Sequence, residues 1–91
     1  SIISFLKPGI IKVYSKSEEN KYFVEDGIVE FKDNNLSILT SSIYNMSDLD
    51  RNKIDQIVKE AEIESSKDNI DDQKRYLIDQ KIEVLKNLSL N

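Results

Sequence analysis

The pattern of apolar and polar positions changes once along the chain, near Ser47. Before Ser47, short runs of β-branched and aromatic residues alternate with polar turn signals, at the spacing typical of antiparallel sheets. After Ser47 there is no glycine and no proline, and apolar residues recur with a helical period. The pattern predicts an α+β fold, with antiparallel strands in residues 1–46 and a two-helix hairpin in residues 47–91.

The first half predicts an antiparallel sheet, as in a sandwich or a barrel. Pro8 and Gly9 separate an opening apolar run from the next one, because proline cannot donate to a sheet ladder. Gly27 is expected to relieve either a strained backbone or a close approach of two backbones. Polar turns are predicted at residues 17–20 and 33–35. Four strands are delimited by these signals, at residues 10–14, 21–24, 28–31 and 36–39.

The second half predicts two helices joined by residues 65–69. Ser47 is the predicted N-cap of the first helix, with Asp48 and Asp50 favouring its positive end, and this helix should run to about Ser66. Its buried stripe consists of Ile54, Ile57, Val58 and Ala61. The second helix is predicted over residues 70–88. Its apolar arc is wider than one neighbour requires, so it packs on the protein's own sheet, on another protein, or on both.

Composition argues against an enzyme. The 91 residues include no cysteine and no histidine, which removes thiol chemistry and the usual general base. Ser41 and Ser42 therefore lack a histidine to activate them. Asp68, Asp71 and Asp72 cluster before the second helix, where helix capping competes with metal binding as an explanation. The net charge of −4 argues against nucleic-acid binding.

The start of the chain also carries an expectation. Ser1 leads directly into Ile2 and Ile3, and no signal peptide or membrane-spanning run is visible. This start predicts a chain cut inside a structural element, and the composition predicts a cytoplasmic compartment.

Four motifs in unbroken order resemble the ε subunit of bacterial F-type ATP synthases. LKPG at 6–9 is similar to the family's strand junction, and YFV at 22–24 with DGIVEF at 26–31 is similar to its YFVSGGFVEV stretch. NLSIL at 35–39 resembles NVTVLAD, and DLD at 48–50 resembles the helix-opening [IL]DxxRA segment. The family begins with further strands, so the resemblance implies that residues 1–46 form the C-terminal half of a β-sandwich domain.

The resemblance implies a non-catalytic role in the rotor of the proton-translocating synthase. The sandwich is expected at the foot of the central stalk, between the γ subunit and the c-ring. The helical hairpin of residues 47–91 is expected to extend toward the α/β ring and to inhibit ATP hydrolysis. Such a subunit is peripheral to the cytoplasmic face of the bacterial inner membrane.

Some family members bind ATP on the folded hairpin, and the resemblance maps this site in part. The matching residues are Leu49, Asp50, Lys53, Lys74 and Lys81. Lys53 stands for an arginine and loses its planar donor fork. A third basic position falls on Leu85, and an acidic one on Tyr44. ATP is therefore expected as a weak regulatory ligand at most, and helix capping by Asp50 with surface ion pairing by the lysines is the competing explanation.

A second class of function stays open on the sequence. A stand-alone small-molecule sensor or interaction module of the same shape would act outside any rotor. Co-purification with γ separates the two hypotheses.

Overall fold

A computed structural model describes residues 2–40 and 42–88. The chain divides into two compact units, residues 1–46 and 47–91. The first unit contains the strands β1 (Ile2–Leu6), β2 (Gly9–Ser15), β3 (Glu18–Val24), β4 (Gly27–Lys32), β5 (Asn35–Thr40) and β6 (Ile43–Asn45). A 3₁₀ turn at Met46–Asp48 is followed by the helices α1 (Arg51–Ser65) and α2 (Asp72–Lys86). The predicted α+β fold, a β-sandwich followed by a helical hairpin, is confirmed.

The strands of the first unit form two antiparallel sheets of three strands each. One has the order β1-β4-β5 and the other the order β2-β3-β6. The chain passes from one sheet to the other between β3 and β4, where the Glu25 amide donates to the carbonyl of Ser42. Phe23 and Val24 at the end of β3 are almost completely buried, so they form the core of this unit.

Both hairpin turns depend on residues with positive φ. Asp33 and Asn34 have φ values of 52° and 64°, which is the pattern of a type I′ turn and suits the twist of the flanking strands. Lys16 has φ of 40° in the other hairpin turn. The predicted turn at 17–20 is wrong in its bounds, because pairing of β2 with β3 continues to Ser15 opposite Glu18. Three of the polar residues that suggested a turn, Glu18, Glu19 and Asn20, belong to the mostly exposed start of β3.

Gly27 is required by a close approach of two strands. A Cβ atom at this position would lie 2.5 Å from the carbonyl oxygen of Leu39. No glycine among the described residues has positive φ, so crowding and not backbone strain explains the residue. The prediction of a closely approached backbone is confirmed.

The helices begin and end with local signals. α1 presents Ile54, Ile57, Val58 and Ala61 as its buried stripe, as predicted. Its N-cap is Asp50 and not Ser47, because the 3₁₀ turn at Met46–Asp48 takes up the residues before it. α1 ends at Ser65, close to the predicted end at about Ser66. The backbone amide of Ser66 donates a hydrogen bond to the Glu62 carbonyl and closes the helix.

α2 begins two residues later than predicted. Asp71 is its N-cap, so the helix starts at Asp72 and not at Ile70. Ile78 and Leu85 are its buried residues, and Leu85 is 0% exposed. The hairpin thus has an apolar interior with a polar, charged exterior.

Candidate functional site

The start of α1 brings three of the predicted ligand residues together. Leu49 is buried, with 8% of its surface exposed. Asp50 follows it as the N-cap, and its Oδ1 atom accepts a 2.7 Å hydrogen bond from the Lys53 amide. This bond satisfies one of the free donors at the helix start. The capping explanation for Asp50 therefore holds in this structure.

Capping does not use all the acceptor capacity of Asp50. An ionised carboxylate offers about four lone-pair sites on its two oxygens, and Asp50 is solvent-exposed. A second donor, such as an exocyclic amino group, has room to bind there. The Lys53 side chain is exposed, and Lys53 lies three residues after Asp50 in the first turn of α1.

Lys74, in the first turn of α2, lies beside the C-terminal end of α1. Its Nζ atom is 3.5 Å from Oε1 of Glu64, which sits in the last turn of this 15-residue helix. At 1.5 Å per residue the helix is about 22 Å long. The hairpin therefore separates Lys74 from the Asp50 end, and the ammonium group takes part in a surface ion pair.

The remaining positions on α2 differ in their surroundings. Lys81 is half-buried, two turns beyond Lys74. Leu85, where the resemblance places a third basic group, is 0% exposed and belongs to the core. A charged side chain at this position would need to leave that core, because burying an unpaired charge is costly. The position is structural in this chain.

Tyr44 is engaged within its own sheet. Its ring stacks on Phe23, with the centroids 6.2 Å apart and the planes 28° apart. The two residues are cross-strand partners between β3 and β6. Tyr44 thus extends the core around Phe23 and supplies no carboxylate.

The acidic cluster before α2 has a capping role. Oδ1 of Asp71 accepts a 2.7 Å hydrogen bond from the Lys74 amide, and Asp72 lies 3.8 Å from the Arg75 guanidinium. Within residues 2–40 and 42–88, no group of three or more Asp or Glu side chains is placed to hold a metal ion.

Arg75 has a role that the sequence did not indicate. Its Nε atom donates to the Ser65 carbonyl at 3.1 Å and its Nη2 atom donates to the Lys67 carbonyl at 3.0 Å. The guanidinium therefore ties the end of α1 and the connector to the first turn of α2. The sequence shows an arginine shortly after the acidic cap of α2. It could not predict this role, because the two carbonyl groups come within reach of Arg75 only in the folded hairpin.

A groove of about 620 Å³ lies between the end of α1 and the second half of α2. Three carboxylates line it, and an ion pair of 3.7 Å joins Lys86 to Glu62 across it. This excess of negative charge disfavours phosphate groups. The lining residues include none of the five predicted ligands and are Glu62, Ser65, Ser66, Asp79, Ile82, Glu83, Lys86 and Asn87.

Comparison with known proteins identifies the family. Residues 1–46 match the family described as "ATP synthase, Delta/Epsilon chain, beta-sandwich domain". A protein of Pelagibacter ubique named ATP synthase epsilon chain is 63% identical over 89 residues, which cover 98% of this chain and 68% of that protein. A second epsilon chain, from Hydrogenovibrio crunogenus, is 30% identical over 61 residues, covering 67% of this chain and 42% of the relative.

A solved structure shares the fold. The match is a chain in the cryo-EM structure of the Euglena gracilis mitochondrial ATP synthase (OSCP/F1/c-ring, rotational state 1), with a TM-score of 0.61 and 22% identity. The likeness covers 93% of this chain and 53% of that chain, so this chain spans about half of its length.

The domain match and the relative agree on one class, a non-catalytic component of an ATP synthase. The chain belongs to the ATP synthase delta/epsilon chain family, and its relatives within it are epsilon chains.

Proposed function

We propose that the chain acts as a central-stalk subunit that couples γ to the c-ring and restrains ATP hydrolysis through its C-terminal helices. The observation that carries this proposal is the 63% identity to an ATP synthase epsilon chain over 98% of the chain. Because this identity extends over both units, it supports the same role for this chain as for that relative.

The strand unit supplies the coupling contacts in this proposal. The family match spans residues 1–46. The β1-β4-β5 sheet in this unit exposes large apolar side chains, among them Phe5 at 80% and Leu39 at 72%. Exposed apolar surface of this extent is typically covered by further protein. In this proposal the further strands of the family's sandwich cover part of it, and γ and the c-ring are the partners of the unit.

The helical hairpin supplies the inhibition. Each helix has its own N-cap, Asp50 for α1 and Asp71 for α2, so each helix can persist when the hairpin opens. The ion pairs between the helices, Lys74–Glu64 and Lys86–Glu62, are exposed and contribute about 0–1 kcal/mol each. Opening therefore sacrifices the apolar contacts between the helices together with the hydrogen bonds of Arg75 and Ser65. A groove in the α/β ring or on γ is proposed to replace the apolar contacts.

ATP is proposed as a weak regulatory ligand of the folded hairpin. The carboxylate of Asp50 and the side chains of Leu49, Lys53 and Lys81 support an adenine and phosphate site. Lys74 is paired with Glu64 at the far end of α1, and Leu85 is apolar. Neither residue therefore adds positive charge to this ATP site.

The proposed position is peripheral, on the cytoplasmic face of the bacterial inner membrane. No helix in the described part of the chain has the length and apolar character of a membrane span. In this proposal, contact with the membrane sector is made through the c-ring.

Co-purification tests the proposal against a stand-alone sensor. The full-length protein is tagged and expressed in its own organism or a close relative. It should co-purify with the catalytic and γ subunits and migrate with them as one band on a native gel. A matched variant that exchanges the exposed Glu19 for lysine should purify in the same way. The tag is placed where it does not block assembly. Recovery of the tagged protein only in free form would then contradict the proposal and favour the stand-alone sensor.

A further inference from the structure

The end of α1 and the connector carry backbone carbonyls that helical hydrogen bonds leave open. The last carbonyls of a helix have no partner within it, and α1 ends at Ser65. Arg75 on α2 fills two open positions, because Nε donates to the Ser65 carbonyl and Nη2 donates to the Lys67 carbonyl. In a continuing helix, the backbone amides of residues 69 and 71 would donate to these two carbonyls. The guanidinium therefore occupies the acceptors that a longer helix would use.

The connector sequence does not prevent such a longer helix. Residues 66–71 contain neither glycine nor proline, the two residues that disfavour helices most strongly. None of residues 66–71 has a positive φ. Ser66 already has a right-handed helical conformation, with φ of −82° and ψ of −6°. A helix that runs from α1 through the connector into α2 is therefore sterically open to this chain.

The connector residues also favour the hairpin through their short polar side chains. Serine, aspartate and asparagine are better caps than interior helix residues, and Asp71 caps α2 by accepting from the Lys74 amide. In a continuous helix the Lys74 amide would bond instead to the carbonyl of residue 70. These backbone groups therefore have partners in both arrangements, as expected of an element with two discrete states.

We propose that Arg75 is a positioning residue that selects the hairpin over a continuous helix, by withholding the Ser65 and Lys67 carbonyls from the backbone amides that would extend α1. Release of the guanidinium frees both carbonyls together, so the connector winds into helix and α2 comes into line with α1. The consequence of this step rests on the proposed function, in which the open form restrains ATP hydrolysis and the hairpin does not.

Two spin labels on the full-length protein test the proposal, and the chain has no cysteine of its own to interfere. Asn52→Cys and Glu83→Cys place the labels at exposed positions on α1 and α2. In the hairpin the labels should be on the order of 20 Å apart, since packed helices lie about 8–10 Å from each other. In a continuous helix they would be about 46 Å apart, at 1.5 Å per residue. Double electron–electron resonance separates these distances, and far-UV circular dichroism reports the helix content.

Arg75→Ala should raise the ratio of the long distance to the short distance about tenfold or more, because it removes two charge-assisted hydrogen bonds from the hairpin alone. Its helix content should be equal to that of wild type or higher, since the connector becomes helical. Arg75→Lys should shift the ratio less, because an ammonium group lacks the planar fork. Arg51→Ala, at an exposed arginine on α1, should match wild type. Adding Asn69→Gly to Arg75→Ala should return the ratio toward wild type, because glycine disfavours a helical connector.

An equal ratio in wild type and Arg75→Ala, including absence of the long distance from both, would overturn the proposal. A broad spread of distances with a loss of helix content in Arg75→Ala would also overturn it, because Arg75 would then only keep the hairpin folded.

Hydrolysis by synthase assembled with the unlabelled proteins tests the proposed function separately. Stronger inhibition by Arg75→Ala than by wild type would support both proposals. A tenfold shift in the distance ratio without any change in hydrolysis would uphold the selection of the hairpin by Arg75 and contradict the inhibitory role of the open form.

Discussion

The hydroxyl group of Ser65 donates a 2.8 Å hydrogen bond to the Asp79 carboxylate, joining the last residue of α1 to the middle of α2. The carbonyl of the same serine accepts the hydrogen bond from Arg75. Ser65 therefore makes two hydrogen bonds with α2, in addition to the exposed ion pairs Lys74–Glu64 and Lys86–Glu62 between the helices. These two hydrogen bonds lie at the connector end, while the apolar stripe of α1 extends toward its start.

Replacing Arg75 should loosen the hairpin. Arg75→Ala removes two hydrogen bonds to carbonyl groups and should lower the free energy of unfolding by about 1–3 kcal/mol. Arg75→Lys should recover only part of this loss, because an ammonium group lacks the planar fork that reaches both carbonyls. Urea denaturation followed by far-UV circular dichroism measures the effect. Arg51→Ala, at an exposed arginine on α1, is the control and should stay within about 0.5 kcal/mol of wild type.

The two glycines should respond differently to the same substitution. Gly27→Ala places a methyl group 2.5 Å from the Leu39 carbonyl, whereas at Gly9 the nearest atom is 3.8 Å away. Gly27→Ala should therefore destabilise the protein by about 1–3 kcal/mol through overpacking. Gly9→Ala should be neutral or stabilise the protein by up to about 1 kcal/mol, because alanine restricts the unfolded chain and meets no clash at this position. Thermal melts of both variants decide the matter, and equal melting temperatures would contradict the close approach at Gly27.

The helix caps give a second stability series. Asp50→Ala and Asp71→Ala each remove a 2.7 Å bond to a helix-start amide and should each cost about 1 kcal/mol. Asparagine at either position caps nearly as well as aspartate, so Asp50→Asn and Asp71→Asn should stay close to wild type. Chemical denaturation at low salt measures all four variants. A loss at Asp50→Asn as large as at Asp50→Ala would mean that the carboxylate charge matters more than the cap.

Nucleotide binding should be weak. Lys53 in place of an arginine forfeits a charge-assisted bond worth about 1.5–3 kcal/mol, which is roughly one to two decades in affinity. Isothermal titration of the full-length protein with ATP should give a dissociation constant above the micromolar range, and Lys53→Arg should tighten it.

A matched pair of variants separates capping from binding in that titration. Asp71→Ala weakens the cap of α2 at the connector end of the hairpin, away from Leu49, Asp50 and Lys53, and should leave ATP affinity unchanged. Micromolar affinity in wild type that Asp50→Ala abolishes and Asp71→Ala preserves would show that the site is stronger than this chain's residues suggest.

Local signals predicted much of the fold. The stripe of Ile54, Ile57, Val58 and Ala61 gave α1 because its period is helical. Asp33 and Asn34 predicted a turn because both tolerate positive φ. The break at Ser47 between strand-like and helical patterns was visible because apolar residues recur with a helical period beyond it.

Other features depend on contacts that local patterns do not encode. Glu18–Val24 is a strand despite its polar start, because pairing with β2 continues to the end of the hairpin. Asp50 replaced Ser47 as the cap because a 3₁₀ turn intervened. Arg75 and Asp79 meet Ser65 only after the hairpin has formed.

The most direct test of the account is the ATP hydrolysis rate of purified synthase that carries the protein with or without residues 47–91. Subunit composition of both preparations is checked first, since the strand unit should assemble in each. Removing the hairpin should raise hydrolysis severalfold while the complex stays intact. An unchanged hydrolysis rate in a fully assembled complex would show that the hairpin does not inhibit, and would contradict the account.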